Sequence, residues 1–99
     1  MSTTVYIPSR VSEAFWHLSE PQRYQLQESF DYVSRWMERG APPQFWRDAR
    51  PAIEIVVNSF LRLPSIKGEL LARLVLMKYE MLQPSPDFEF MRYLWRSIS

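Results

Sequence analysis

The sequence predicts an all-α fold, a compact bundle of about four main helices with one or two short helical turns and an extended N-terminal arm. Three observations carry that expectation. Apolar residues recur at spacings of three and four through most of the chain, the period of one helix face. Eight prolines against two glycines punctuate it, and the prolines stand where helices would begin or be separated. Hydrophobic residues make up 46% and aromatics 15% of 99 residues, enough for a single core to offset chain entropy without a staple. The chain divides on this reading into an arm, residues 1–10, and one helical domain, residues 11–99.

The arm contains the β-favouring run TTVYIP, suited to an extended segment or a lone edge strand. Ser12 then caps a short first helix through Leu18. Ser19 opens a longer helix, with Pro21 in its first turn, running to Arg39 with Gly40 in the left-handed position behind it. Leu26, Phe30, Val33 and Met37 form its core stripe. Asp31 and Arg35, four apart, are expected to pair on its exposed side for roughly 0.3 kcal/mol. After the break at Ala41-Pro42-Pro43, Gln44 to Ala49 read as one helical turn, and Pro51 restarts a helix. There Ile53, Val56, Val57, Phe60 and Leu63 share a face, and their spacing outweighs the β-branched character of the IEIVV run.

Pro64 ends that helix, and Ser65 is expected to cap the next, from Ile66 to about Leu82. It carries two apolar stripes: Ile66, Leu70, Leu74, Met77 and Met81 on one side, and Leu71, Val75, Tyr79 and Leu82 on another. A helix apolar on two sides needs cover on two sides, which places it centrally in the bundle or at a subunit contact. Pro84, Ser85 and Pro86 make the last break. Asp87 suits the positive end of the final helix, in which Phe88, Met91, Trp95 and Ile98 point one way and Phe90 and Tyr93 the other.

The residue inventory speaks against catalysis and cofactors. The chain has no cysteine and a single histidine, His17, so disulfides, thiol nucleophiles and an ordinary zinc site are not expected. Two isolated glycines, at 40 and 68, do not make a phosphate-cradling loop. Glu54, between Ile53 and Ile55, is the only acid with strongly apolar neighbours, and on a helix it turns away from the core stripe. No enzyme, metal or cofactor is predicted. No run approaches the length of about 18 apolar residues that spans a bilayer, and MSTTVYIPSR lacks a signal-peptide core. A cytoplasmic protein without membrane attachment is expected.

Twelve basic residues against eleven acidic give a net charge of +1, short of the basic excess of dedicated nucleic-acid binders. Ten of the twelve are arginine, the residue suited to planar and interfacial contacts. The run from Arg35 to Arg50 sets Trp36, Phe45 and Trp46 among Arg39, Arg47 and Arg50, a composition found in protein hot spots and also in sites that stack unpaired bases. Phe90, Tyr93 and Arg96 on the last helix form a second candidate patch. These nine residues are the predicted interaction set. A helix-turn-helix across Pro64 is disfavoured because its reading helix would present Ile66, Gly68, Leu70 and Leu71 to the bases. The sequence therefore predicts a small non-catalytic interaction or regulatory module that binds a protein partner and forms a homodimer. An adaptor for RNA or single-stranded DNA is the alternative.

Overall fold

The protein is described by a computed structural model over residues 16–98. Among these residues four helices follow one another: α1 (Glu20–Glu38), α2 (Trp46–Leu61), α3 (Gly68–Met81) and α4 (Phe88–Ile98), with a 3-10 turn (Pro43–Phe45) before α2. There is no strand among the described residues. The extended arm lies outside them, as do residues 12–15 of the expected first helix, whose Trp16 and His17 form a turn.

Helix α1 starts and stops where its sequence signals stand. Ser19 is its N-cap and forms a capping box with Gln22, the Ser19 N–H donating to Gln22 Oε1 at 3.1 Å, and Pro21 lies in the first turn. Its stripe, Leu26, Phe30, Val33 and Met37, is buried. The ion pair expected between Asp31 and Arg35 is not formed; Asp31 Oδ1 accepts instead from Gln27 Nε2 at 3.0 Å, a neighbour one turn back that needs no charge.

Helix α2 differs from its expected start. It does not restart at Pro51 but runs unbroken from Trp46 with Pro51 inside it. The 3-10 turn, closed by Phe45 N–H to Pro42 O at 3.2 Å, leads straight into it. Pro51 lies beyond the first four N–H groups, which lack intrahelical partners, so it forfeits one bond, that to the Arg47 carbonyl. The β-branched run is helical as its spacing implies, with Ile53, Val56, Val57 and Phe60 at most 1% exposed.

Helix α3 starts two residues later than expected, and Ser65 is not its cap. Leu63 and Ile66 are both buried, and the Ile66 N–H closes a turn on Leu63 O at 3.2 Å, so Pro64 and Ser65 are used in that turn. The chain enters the helix at Gly68, whose φ of +66° is a left-handed conformation that glycine adopts without steric cost. Helix α4 is capped as its sequence implies, Asp87 Oδ1 accepting from the Phe90 N–H at 3.0 Å. Glu80 of α3 holds that loop by accepting from the Asp87 N–H at 2.7 Å.

Helix α3 is not covered on two sides. Helix α2 packs on α1 and α3, and α3 packs in turn on α4, which reaches back to α1 through Phe30 and Trp95, with ring centroids 5.3 Å apart. The described residues form a flattened body of 37 × 34 × 20 Å, about two helices thick. Such a slab covers one side of α3: Ile66, Leu74, Met77 and Met81 are buried, whereas Leu71, Val75, Tyr79 and Leu82 are exposed.

Adjacent residues of α3 test this placement. Leu74 is 0% and Val75 51% exposed. Leu74→Ala is expected to lower the urea unfolding free energy by about 2–5 kcal/mol and Val75→Ala to change it by less than about 0.5 kcal/mol. Comparable losses at the two positions would contradict the packing described.

Candidate interaction site

The region richest in arginine and aromatic residues is built around the corner that ends α1. A helix end leaves carbonyls without intrahelical partners. Here Gly40 N–H donates to Met37 O at 3.0 Å and Ala41 N–H to Trp36 O at 2.9 Å, the paired bonds of a Schellman motif. Gly40 has φ +93° and Ala41 φ +52°, so two successive residues are left-handed and the second carries a side chain. Ala41 is 1% exposed, its methyl group packed into the core. The indole Nε1 of Trp36 then donates to Pro42 O at 3.0 Å, tying the outgoing chain to the helix it has just left.

Trp36, Trp46 and Phe88 pack mutually at this corner, with ring centroids 5.8 Å (Trp36–Trp46), 5.8 Å (Trp36–Phe88) and 5.3 Å (Trp46–Phe88) apart. Both contacts to Phe88 are edge-on, the arrangement favoured by ring quadrupoles. The triad joins α1, α2 and α4. Arg92 of α4 adds a charged clasp: its Nε donates to Met37 O at 3.2 Å, at the negative end of the α1 dipole, and its Nη1 to Glu89 Oε1 at 3.0 Å.

The Arg35–Arg50 run is thereby divided between core and surface. Trp36 is buried and Trp46 half-buried, so both act chiefly in holding the corner, whereas Phe45 is 46% exposed. Arg39, Arg47 and Arg50 are exposed, and none of them forms an ion pair among the described residues. Arg39 lines a shallow pocket of about 310 Å³ together with Tyr32, Arg35, Phe45 and Asp48, with Trp36 and Pro42 as its inner wall. Arg47 and Arg50 do not line it. Tyr32 and Asp48 were missed by a search for arginine–aromatic clusters; Tyr32 lies one turn before Trp36 and two before Arg39, so its spacing on α1 was the available signal.

On α4, Phe90 and Tyr93 stack at 6.4 Å with an interplanar angle of 13°. Phe90 is half-buried against the core, while Tyr93 and Arg96 face solvent. The last-helix patch is therefore small, one ring and one guanidinium. His17 and Glu54 are exposed. Among the described residues, no group of three metal-ligating side chains converges, and no helix is long and apolar enough to cross a membrane.

Five of the ten exposed large hydrophobic side chains among the described residues lie elsewhere, on the outer side of α3 and at its C-cap. Val75, Tyr79 and Leu82 are 51%, 63% and 63% exposed, with Leu71 and Leu76 on their flanks. Gly68, Ala72, Val75, Tyr79 and Leu82, all exposed, are spaced 4, 3, 4 and 3, the seam that packs helices side by side in a left-handed coil. Sequence periodicity found Leu71, Val75, Tyr79 and Leu82; the small residues Gly68 and Ala72, which let a second backbone approach, complete the seam.

Trp46→Ala is expected to cost about 3 kcal/mol or more in chemical denaturation by emptying the corner, and Arg47→Ala no more than about 0.5 kcal/mol. A stability loss at Arg47 matching that at Trp46 would contradict the division into core rings and surface charges. Comparison of the chain with protein-family models, with curated proteins and with solved structures finds no match.

Proposed function

We propose that this chain is a small non-catalytic helical interaction module of the cytoplasm that self-associates through the outer face of α3 and binds a protein partner elsewhere on its surface. The observation that carries the reading is the uncovered 4-3-4-3 seam of α3. At their exposures, Leu71, Val75, Leu76, Tyr79 and Leu82 present on the order of 500 Å² of apolar surface, within the range of the largest patches on monomeric proteins, which are often functional. A standard interface buries about 800 Å² per partner, so these side chains would form its apolar centre, with Gln83 and Glu69 among its polar rim. A second copy is the occupant best suited to it, because a straight seam with small residues at one end and large ones at the other is complementary to its own reverse: Gly68 and Ala72 of one copy receive Tyr79 and Leu82 of the next. Each contact then occurs twice about a two-fold axis.

An adaptor for single-stranded nucleic acid has weaker support. Stacking needs exposed ring faces, and of the three rings in the Arg35–Arg50 run only Phe45 is classed as exposed.

Sedimentation equilibrium at micromolar concentration is expected to return twice the mass of the chain, and Val75→Glu to return a folded monomer with unchanged helical circular dichroism. A monomer in the unsubstituted protein, or a dimer indifferent to Val75→Glu, would overturn the self-association reading.

A further inference from the structure

One side of the α1–α2 pair carries two pockets. Besides the pocket of about 310 Å³ at the Trp36 corner, a second of about 230 Å³ lies toward the other end of the pair, between Gln22 and Gln25 of α1 and Ile55, Ser59 and Arg62 at the C-terminal end of α2. Gln25, Tyr32 and Arg39 are seven residues apart on α1, and Asp48, Ile55 and Arg62 are seven apart along α2 and its C-cap. Seven residues are nearly two full turns, so each trio lies along one edge of its helix, and both pockets open along the same groove. From Gln25 to Arg39 the groove runs about 21 Å, which an extended peptide covers in six or seven residues at about 3.3 Å each.

The chemistry of this groove is that of a peptide site with a positive bias. Arg35, Arg39 and Arg62 are exposed and form no ion pair among the described residues, while Asp48 is the only carboxylate lining either pocket. Tyr32 and Phe45 flank the Trp36 pocket with partly exposed rings. At the other end, Gln25 and Asn58 offer side-chain amides, groups that donate to and accept from a peptide backbone.

We propose that the groove between α1 and α2 binds an extended acidic peptide segment of a protein partner. A carboxylate of the segment pairs with Arg35 and Arg39 in the forked geometry that guanidinium groups favour, and the adjoining proline or aromatic side chain fills the space between Tyr32 and Phe45. Asp48 accepts from a peptide N–H at the same end. That last group favours a peptide over a nucleic acid, because its carboxylate repels a row of phosphates whereas a peptide backbone brings an N–H to it. The inference rests on the partner-binding half of the proposed function and is independent of the α3 seam.

Selection of a displayed random octapeptide library on the full chain tests it, followed by fluorescence anisotropy of the selected peptide, labelled, with the unsubstituted protein, with Arg35→Glu/Arg39→Glu and with Val75→Glu. The selected peptides are expected to carry Asp or Glu beside Pro, Phe or Tyr. Charge reversal at the two arginines should weaken binding at least about tenfold with no change in melting temperature, and Val75→Glu should leave binding unchanged. Absence of enrichment, enrichment of basic sequences, or binding indifferent to charge reversal would overturn the proposal. Tighter binding of a labelled deoxythymidine octamer, lost in the same double variant, would also overturn it and make the groove a nucleic-acid site. A monomeric protein that still binds the peptide through Arg35 and Arg39 removes the self-association reading alone.

Discussion

The indole of Trp36 holds the corner on which the other contacts depend. Two successive left-handed residues and two prolines turn the chain sharply after α1, and a turn of that kind persists only where its polar groups are satisfied and its side chains packed. Trp36 does both, its N–H meeting Pro42 O and its ring meeting Trp46 and Phe88. With that corner closed, α1 and α2 lie against each other along Leu26, Phe30 and Val33 on one side and Ile53, Val56 and Phe60 on the other. The same ring gives α4 its seat, and Arg92 fastens α4 to the carbonyl end of α1.

This architecture also decides which surfaces stay open. With the body about two helices thick, α3 packs on α2 and α4 with one side, and its second apolar stripe is left facing solvent. The arginines of the corner are pushed outward by the rings they accompany in sequence, so Arg35 and Arg39 reach the rim of the α1–α2 groove while Trp36 forms its inner wall. One proposed contact surface is thus apolar and lies on α3. The other is cationic and lies across α1 and α2. Their different chemistry suits different occupants, a second copy for the seam and an acidic segment for the groove.

Local signals were legible in the sequence wherever a single residue's conformation or hydrogen bonding decided the outcome. Ser19 and Gly40 bound α1, Asp87 caps α4, and the 3–4 spacing of Ile53, Val56, Val57 and Phe60 prevailed over their β-branched preference. Signals failed where a tertiary contact competed with them. Ser65 has the composition of a cap, but burial of Leu63 and Ile66 on either side commits it to a turn, and the helix waits for Gly68. Pro51 looks like a helix start, yet Trp46 has already been fixed by Trp36 and Phe88, elements 10 and 42 residues away in sequence. The two stripes of α3 were both visible as periodicity. What periodicity could not supply was which stripe a neighbouring helix covers, and the same ignorance concealed the split of the Arg35–Arg50 run into core rings and rim charges.

Contact between copies through the outer face of α3 is the central proposal. Cross-saturation NMR on a mixture of perdeuterated, 15N-labelled protein and unlabelled protein locates that contact residue by residue. Loss of amide signal gathered between Gly68 and Gln83, with the Tyr32–Asp48 corner unaffected, is the predicted result. No transfer between copies, or transfer centred on the α1–α2 groove instead, would contradict it.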